Sequence, residues 1–140
     1  MFKKKFIFSG AIIALIIGVI TALTMYNKPH TDVSKTKADI TLEANTLLSA
    51  FENDEQTANT KYLEKILAVN GKITAINFDD EGYGIISLQP KNAMGSILCH
   101  LQNKETTEIN NLKINQTVHI KGICTGYLMD VILVKCILTN

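Results

Sequence analysis

Arginine and tryptophan are absent from the 140-residue chain, and proline occurs only twice. Without arginine there is no bidentate clamp for phosphate, and the basic stripe of a typical nucleic-acid binder is missing. Cysteine is scarce and odd in number, with three in all, so at most one internal pair can form. No Cys-x-x-Cys or His-x-x-x-His spacing occurs, and no glycine-rich phosphate loop, so a structural metal or a nucleotide cofactor has no local signature. Internal repeats and low-complexity tracts are also absent.

The formal charge of +1 hides an uneven distribution. Lys3, Lys4, Lys5 and Lys28 flank an N-terminal apolar run, and from Thr31 to Asn140 ten lysines face thirteen acidic residues. The bulk of the chain is therefore mildly acidic, which disfavours nucleic acid as a partner.

Phe6 to Met25 is an uncharged run of 20 residues. As a helix it would be about 30 Å long, the thickness of a bilayer core. The run predicts a single transmembrane helix that anchors the chain in a membrane, with the lysines on the cytoplasmic side and the remainder outside the cytoplasm. The competing reading is a cleaved signal peptide, with Ala22-Leu23-Thr24 as a weak cleavage site and a secreted or periplasmic product. No Cys lies near the end of the run to take a lipid. The expected division is an anchor or signal segment over 1–25, a polar tether over 26–37 and one domain over 38–140.

Ile40, Ala44, Leu47, Leu48 and Phe51 recur at helical spacing, with Thr36 and Asp39 resembling a helix-start box. A second short helix is expected from about Asn53, with Ala58 and Tyr62 facing inward. Beyond it the chain turns to β-structure. Ile66 to Phe78 is rich in β-branched residues and carries Gly71 in its middle, the mark of a bulge or bend in a strand that serves two sides of a small barrel. Gly84–Leu88 and Ser96–Leu101 are the next strands, after a turn at Asp79-Asp80-Glu81-Gly82. The acidic residues of that turn read as a solvated loop.

Val118 to Leu138 reads as a closing hairpin with its turn near Gly126 to Asp130. Val118, Ile120, Gly122 and Cys124 alternate on one arm; Ile132, Val134, Cys136 and Leu138 alternate on the other. With the turn centred on residue 130, Cys124 and Cys136 would face each other. They form either a cross-strand disulfide, which an extracytoplasmic location permits, or a pair of small buried hydrophobes. Cys99 shares the parity of Ile97 and Leu101, as a core thiol or an alternative partner. Cys99 and His100 point to opposite faces of their strand, so neither a metal site nor a Cys–His nucleophile pair is expected.

Several groups of residues together resemble the tRNA-anticodon-like (tRNA_anti-like) family of OB-fold domains, found in secreted or membrane-attached bacterial proteins. They are Phe51 with Asp54-Glu55, Ala58 and Lys61-Tyr62; Val69-Asn70-Gly71-Lys72-Ile73; Ile97-Leu98-Cys99-His100-Leu101; and Val118 to Gly126 with Asp130 and Cys136. The resemblance implies a mainly β fold with N-terminal helices: a five-stranded OB-fold Greek-key barrel, preceded by a short helical segment and the transmembrane helix. Such a barrel binds on its second and third strands and adjoining loops. That surface would draw on Phe78, Tyr83, Ile86, Pro90, Lys91 and His100, with Lys72 nearby. The expected function is a non-catalytic extracytoplasmic binding module without a cofactor, its partner a protein or another envelope component. The alternative is a nucleic-acid-binding OB domain.

Overall fold

The computed structural model describes residues 2–26, 31–104 and 107–139, without the side chains of 2–9 and 11. The chain divides into two compact units, 1–31 and 32–140. The first holds helix α1 (Phe2–Tyr26). The transmembrane helix expected over Phe6 to Met25 is overturned, because among the described residues no helix is long and apolar enough to cross a membrane. Residues 27–30 of the expected tether lie outside the described residues.

The second unit begins with a turn in which Asp32 Oδ1 accepts from the Ser34 N–H and hydroxyl. It continues as β1 (Ile40–Glu43), α2 (Ala44–Asn53), α3 (Glu55–Tyr62), β2 (Ile66–Phe78), β3 (Tyr83–Leu88), β4 (Ile97–Lys104), α4 (Thr107–Asn110), β5 (Thr117–Leu128) and β6 (Asp130–Thr139). Five strands close a barrel in the order β2-β3-β4-β6-β5, with β5 returning to β2. All its contacts are antiparallel except β4 on β6. This is the OB-fold arrangement.

Strand β2 serves two sides, as its glycine and β-branched residues predict. Ile66 to Lys72 pair with β5, and Ile73 to Phe78 pair with β3, with a register shift between Ile73 and Ala75. Gly71 sits where the two halves meet; a Cβ there would come within 2.9 Å of Ala44 Cβ. Only glycine lets the start of α2 approach the sheet so closely.

A sixth strand corrects the sequence reading, which assigned Ile40 to a helix. Ile40–Glu43 instead pairs parallel to β2, Ile40 opposite Leu67. Asp39 enforces this: its backbone N–H donates to Ile66 O at 2.7 Å and its carboxylate accepts from Ile66 N–H at 2.8 Å. The helix therefore starts at Ala44, and Thr36 hydrogen-bonds Asp32 O instead of capping a helix. Asp54 caps α3, accepting from Thr57 N–H at 3.1 Å.

Leu47, Leu48 and Phe51 of α2, with Ala58 and Tyr62 of α3, join Val69, Ile73, Ile86, Leu88, Ile120 and Leu133 in one continuous core. Leu48 lies against Gly95, just before β4. Ile109 of α4 packs against Gly84, where β3 begins. Since β3 and β4 are antiparallel, the two apolar plugs sit at opposite ends of the hairpin. Phe51 stacks on Tyr127 with centroids 5.5 Å apart and lies 6.0 Å from Tyr62.

The closing hairpin is tighter than its sequence suggests. Leu128 pairs directly with Asp130, and Met129 alone makes the turn at φ 67°. A register shift between Cys124 and Gly126 then makes Val131 and Leu133, not Ile132 and Val134, the inward residues of β6. An irregularity at Lys135 (φ 52°) then switches the parity and returns Cys136 to the interior.

Candidate functional site

The seven residues expected at a ligand face, counting Lys72 beside it, separate into four places: the core, the outward face of β3 and β4, the barrel rim, and a cavity that Pro90 lines with Lys72 and Lys91. Ile86 has no exposed surface and belongs to the core, which removes it from any binding face. Its neighbour Ile85 points outward instead, opposite His100. Tyr83 shares that outward parity at the strand edge, with the Lys104 ammonium 5.3 Å from its ring centroid. Phe78 has the inward parity of Ile76 and Ile86 but lies at the barrel rim, where it is 43% exposed. Lys72 and Lys91 lie elsewhere, in a cavity beside the start of α2.

The outward face of β3 and β4 is built from pairs across the ladder. Ser87 pairs with Leu98, and Ile85 with His100. Ile132 of β6 extends the first row, and Ala75 flanks it from β2. Ile85, Leu98 and Ile132 are half-buried. The surface is thus a small aliphatic strip carrying one imidazole, with Ser87 buried in its row. Among the described residues no Phe, Tyr or Trp side chain lies within the strip, and Tyr83 stands at its margin. The strand limits alone would have yielded this face, since Gly84, Ile86 and Leu88 share one parity and Ile85 and Ser87 the other. The sequence reading took Ile86 because the parity of β3 was not fixed by its flanking turn.

Two loops meet at the end of this face. Ser96 N–H and hydroxyl donate to Asp130 Oδ1 at 2.7 and 2.8 Å, and Val131 N–H donates to Ser96 O at 2.9 Å. The clasp holds the β3–β4 loop against the β5–β6 turn.

The cavity has a volume of about 760 Å³. Residues from both ends of the barrel sequence line it, among them Glu43, Asn70, Lys72, Gln89, Lys91 and Asn115. Asn70 Nδ2 donates to Glu43 Oε1 at 2.8 Å, which fixes the amide's orientation. Its Oδ1 is buried and accepts no hydrogen bond among the described residues. Asn115 adopts the left-handed conformation expected of its turn, with φ 68°. The polar residues other than the lysines had no local sequence signal, because strand pairing alone brings positions 43, 70, 89 and 115 together.

The three cysteines are free and buried. Of the two alternatives for Cys124 and Cys136, the structure shows buried free thiols and no disulfide: the one-residue turn and the register shift between Cys124 and Gly126 place Cys124 opposite Leu133, while Cys136 aligns with Leu101 and hydrogen-bonds Cys99. Burial pushes the Cys124 thiol up from its ordinary value of 9.0. Burial, and then the contact with Cys99, pushes Cys136 well above the same value. Among the described residues no group of His, Cys, Asp or Glu is arranged to hold a metal ion.

No curated protein matches the chain. Among solved structures, one described as a "putative nucleic acid-binding lipoprotein" from Klebsiella pneumoniae subsp. pneumoniae superposes with a TM-score of 0.58 at 16% identity, covering 81% of this chain and 100% of its own. That likeness is one of fold. The family model for tRNA_anti-like proteins matches residues 1–138, with the closed β2-β3-β4-β6-β5 barrel as its body, and the chain belongs to the tRNA_anti-like family.

Proposed function

We propose that this chain is an extracytoplasmic OB-fold binding module without catalytic activity, and that it engages a protein segment or another envelope component on the outward face of β3 and β4. The observation that carries the reading is the character of that face. Ile85, Leu98 and Ile132 offer aliphatic surface, with His100 as a polar contact. Bases are bound in single strands by stacking on aromatic rings above a positive groove. Here the His100 imidazole is the one ring in the strip among the described residues, and the domain from Thr31 carries more acidic residues than lysines. An apolar strip bordered by polar groups suits a polypeptide partner better. All three thiols are buried, and burial raises the pKa of Cys124 and Cys136, which disfavours either of these as a nucleophile. The extracytoplasmic location is supported by the lysine-led apolar N-terminus and by the lipoprotein description of the Klebsiella structure.

Nucleic acid is the second reading, favoured by that structure's description and by the placement of Lys72 and Lys91 in one cavity. Fluorescence anisotropy with labelled single strands separates the two. At about 150 mM salt we expect no saturation below roughly 100 μM, since too few cations are available to release counterions. Micromolar binding that disappears in a Lys72→Glu, Lys91→Glu variant would replace the first reading with the second. For the protein partner, a photo-crosslinker at Leu98 should give an adduct of one defined mass in envelope preparations, and a crosslinker at Asp80 should not.

A further inference from the structure

We propose that the cavity beside the start of α2 is a second binding site, taking an acidic sugar: a carboxylate-bearing saccharide with free ring hydroxyls. It lies off the β3–β4 face and does not depend on what that face binds. Its size, about 760 Å³, falls within the range of small-ligand pockets.

The chemistry of the lining sets the ligand class. Lys72 and Lys91 are exposed, and neither makes an ion pair among the described residues. Two such ammonium groups at one cavity call for an anion. The remaining polar groups call for donors as well. Asn70 Oδ1 is a buried acceptor without a partner, oriented by the Glu43 carboxylate that holds its Nδ2. Gln89 Nε2 is engaged by Ala93 O at 3.0 Å, which leaves its carbonyl oxygen to accept. An inorganic anion without hydroxyls, such as sulfate, supplies no donor for Asn70 or Gln89. A hydrophobic ligand would leave these amides unsatisfied. A neutral sugar would leave the lysines idle. A single molecule with a carboxylate and neighbouring hydroxyls satisfies both sets. Pro90 supplies apolar surface for a ring face. No aromatic side chain lines the cavity, which weighs against a nucleobase.

The test uses the full-length protein, with the side-chain amides of Asn70 and Asn115 followed by NMR. The probes are the galacturonate disaccharide, its methyl ester, inorganic sulfate and a single-stranded oligonucleotide. We expect the disaccharide to saturate with a Kd of about 1 mM or below. The ester, which keeps the hydroxyls and loses the charge, and sulfate, which keeps charge and has no hydroxyl, should each bind at least about tenfold more weakly. Lys72→Gln and Lys91→Gln change exposed side chains, leave the fold intact and should each weaken the disaccharide by a similar factor. Equal binding of the ester or of sulfate, no saturation by the disaccharide, or displacement of it by the oligonucleotide at lower concentration would each overturn the proposal.

Discussion

Gly122 is a residue where the barrel has little room. A Cβ built on it would overlap Cys136 Sγ and come within 3.2 Å of Val134 O. The neighbour is buried and the second contact is backbone, so neither can yield cheaply. Gly122→Ala should therefore destabilise the fold by about 1–3 kcal/mol, the usual cost of overpacking a core, as measured by urea unfolding. Gly82 and Gly126 have positive φ and nothing near a built Cβ, so substitution there acts through backbone strain alone. The thiols make a separate prediction. Cys124 and Cys136 have folded pKa values above the ordinary 9.0, so the unfolded chain ionises first as pH rises. Their contribution to stability is complete below about pH 9 and is lost as pH climbs beyond it. Urea midpoints measured between pH 7 and pH 10 (about neutral to strongly alkaline) should fall at the upper end, and a Cys124→Ala, Cys136→Ala variant should show a smaller fall.

At the level of elements, the clasp between the β3–β4 loop and the β5–β6 turn governs the end of the aliphatic face. Asp130 accepts both Ser96 donors with one oxygen. Asp130→Ala should cost about 1–3 kcal/mol, since a partly buried N–H loses its acceptor, and hydrogen exchange should quicken at Ser96 and Val131 before it does in β2. Sequence legibility differs sharply between these elements. Strand β2 could be read to its ends because Val, Ile and Thr cluster there, and Gly71 marks the place where its partners change. Asp79–Gly82 was legible for a similar reason: the Asp79 carboxylate accepts from the N–H groups of Glu81 and Tyr83, and Gly82 has φ 87°. The facing of β6 was not legible. It depends on two register shifts, one between Cys124 and Gly126 on β5 and one at Lys135 on β6, where φ is 52°, and neither is announced by residue type. β1 was hidden because Ile40 fits the helical spacing that Ala44 and Leu47 continue. Of the candidate site, Tyr83 and His100 were placed on the correct side of the sheet. Ile86 was misplaced by one residue, which in a strand reverses the face.

For the whole molecule, the unit from Asp32 is held by its own core, and its ladders run among its own strands, with β2 pairing β1, β3 and β5. Lys121 Nζ donates to Thr36 O at 2.9 Å, so even the entry strand of the unit is fastened to β5. A chain starting at Asp32 should therefore show the cooperative melting transition of the full-length protein. Loss of that transition, followed by circular dichroism, would mean that the first unit contributes to stability. The apolar N-terminus was legible as a run and misread as a span. Its length in residues was counted correctly, but composition does not establish that a segment crosses a bilayer.

Closure of the barrel by β6 has a consequence for how the protein is made. β6 is the last strand of the barrel in sequence, yet it lies between β4 and β5 and joins strands that are otherwise not neighbours. A nascent chain therefore exposes two unpaired strand edges until β6 has been released. The same arrangement makes β6 a point of vulnerability. A stop codon at the start of β6 removes Cys136 and leaves β4 without its parallel partner. The product would be an aggregation-prone sheet and not a slightly weakened barrel, so small losses from this end should matter more than much longer losses from the beginning.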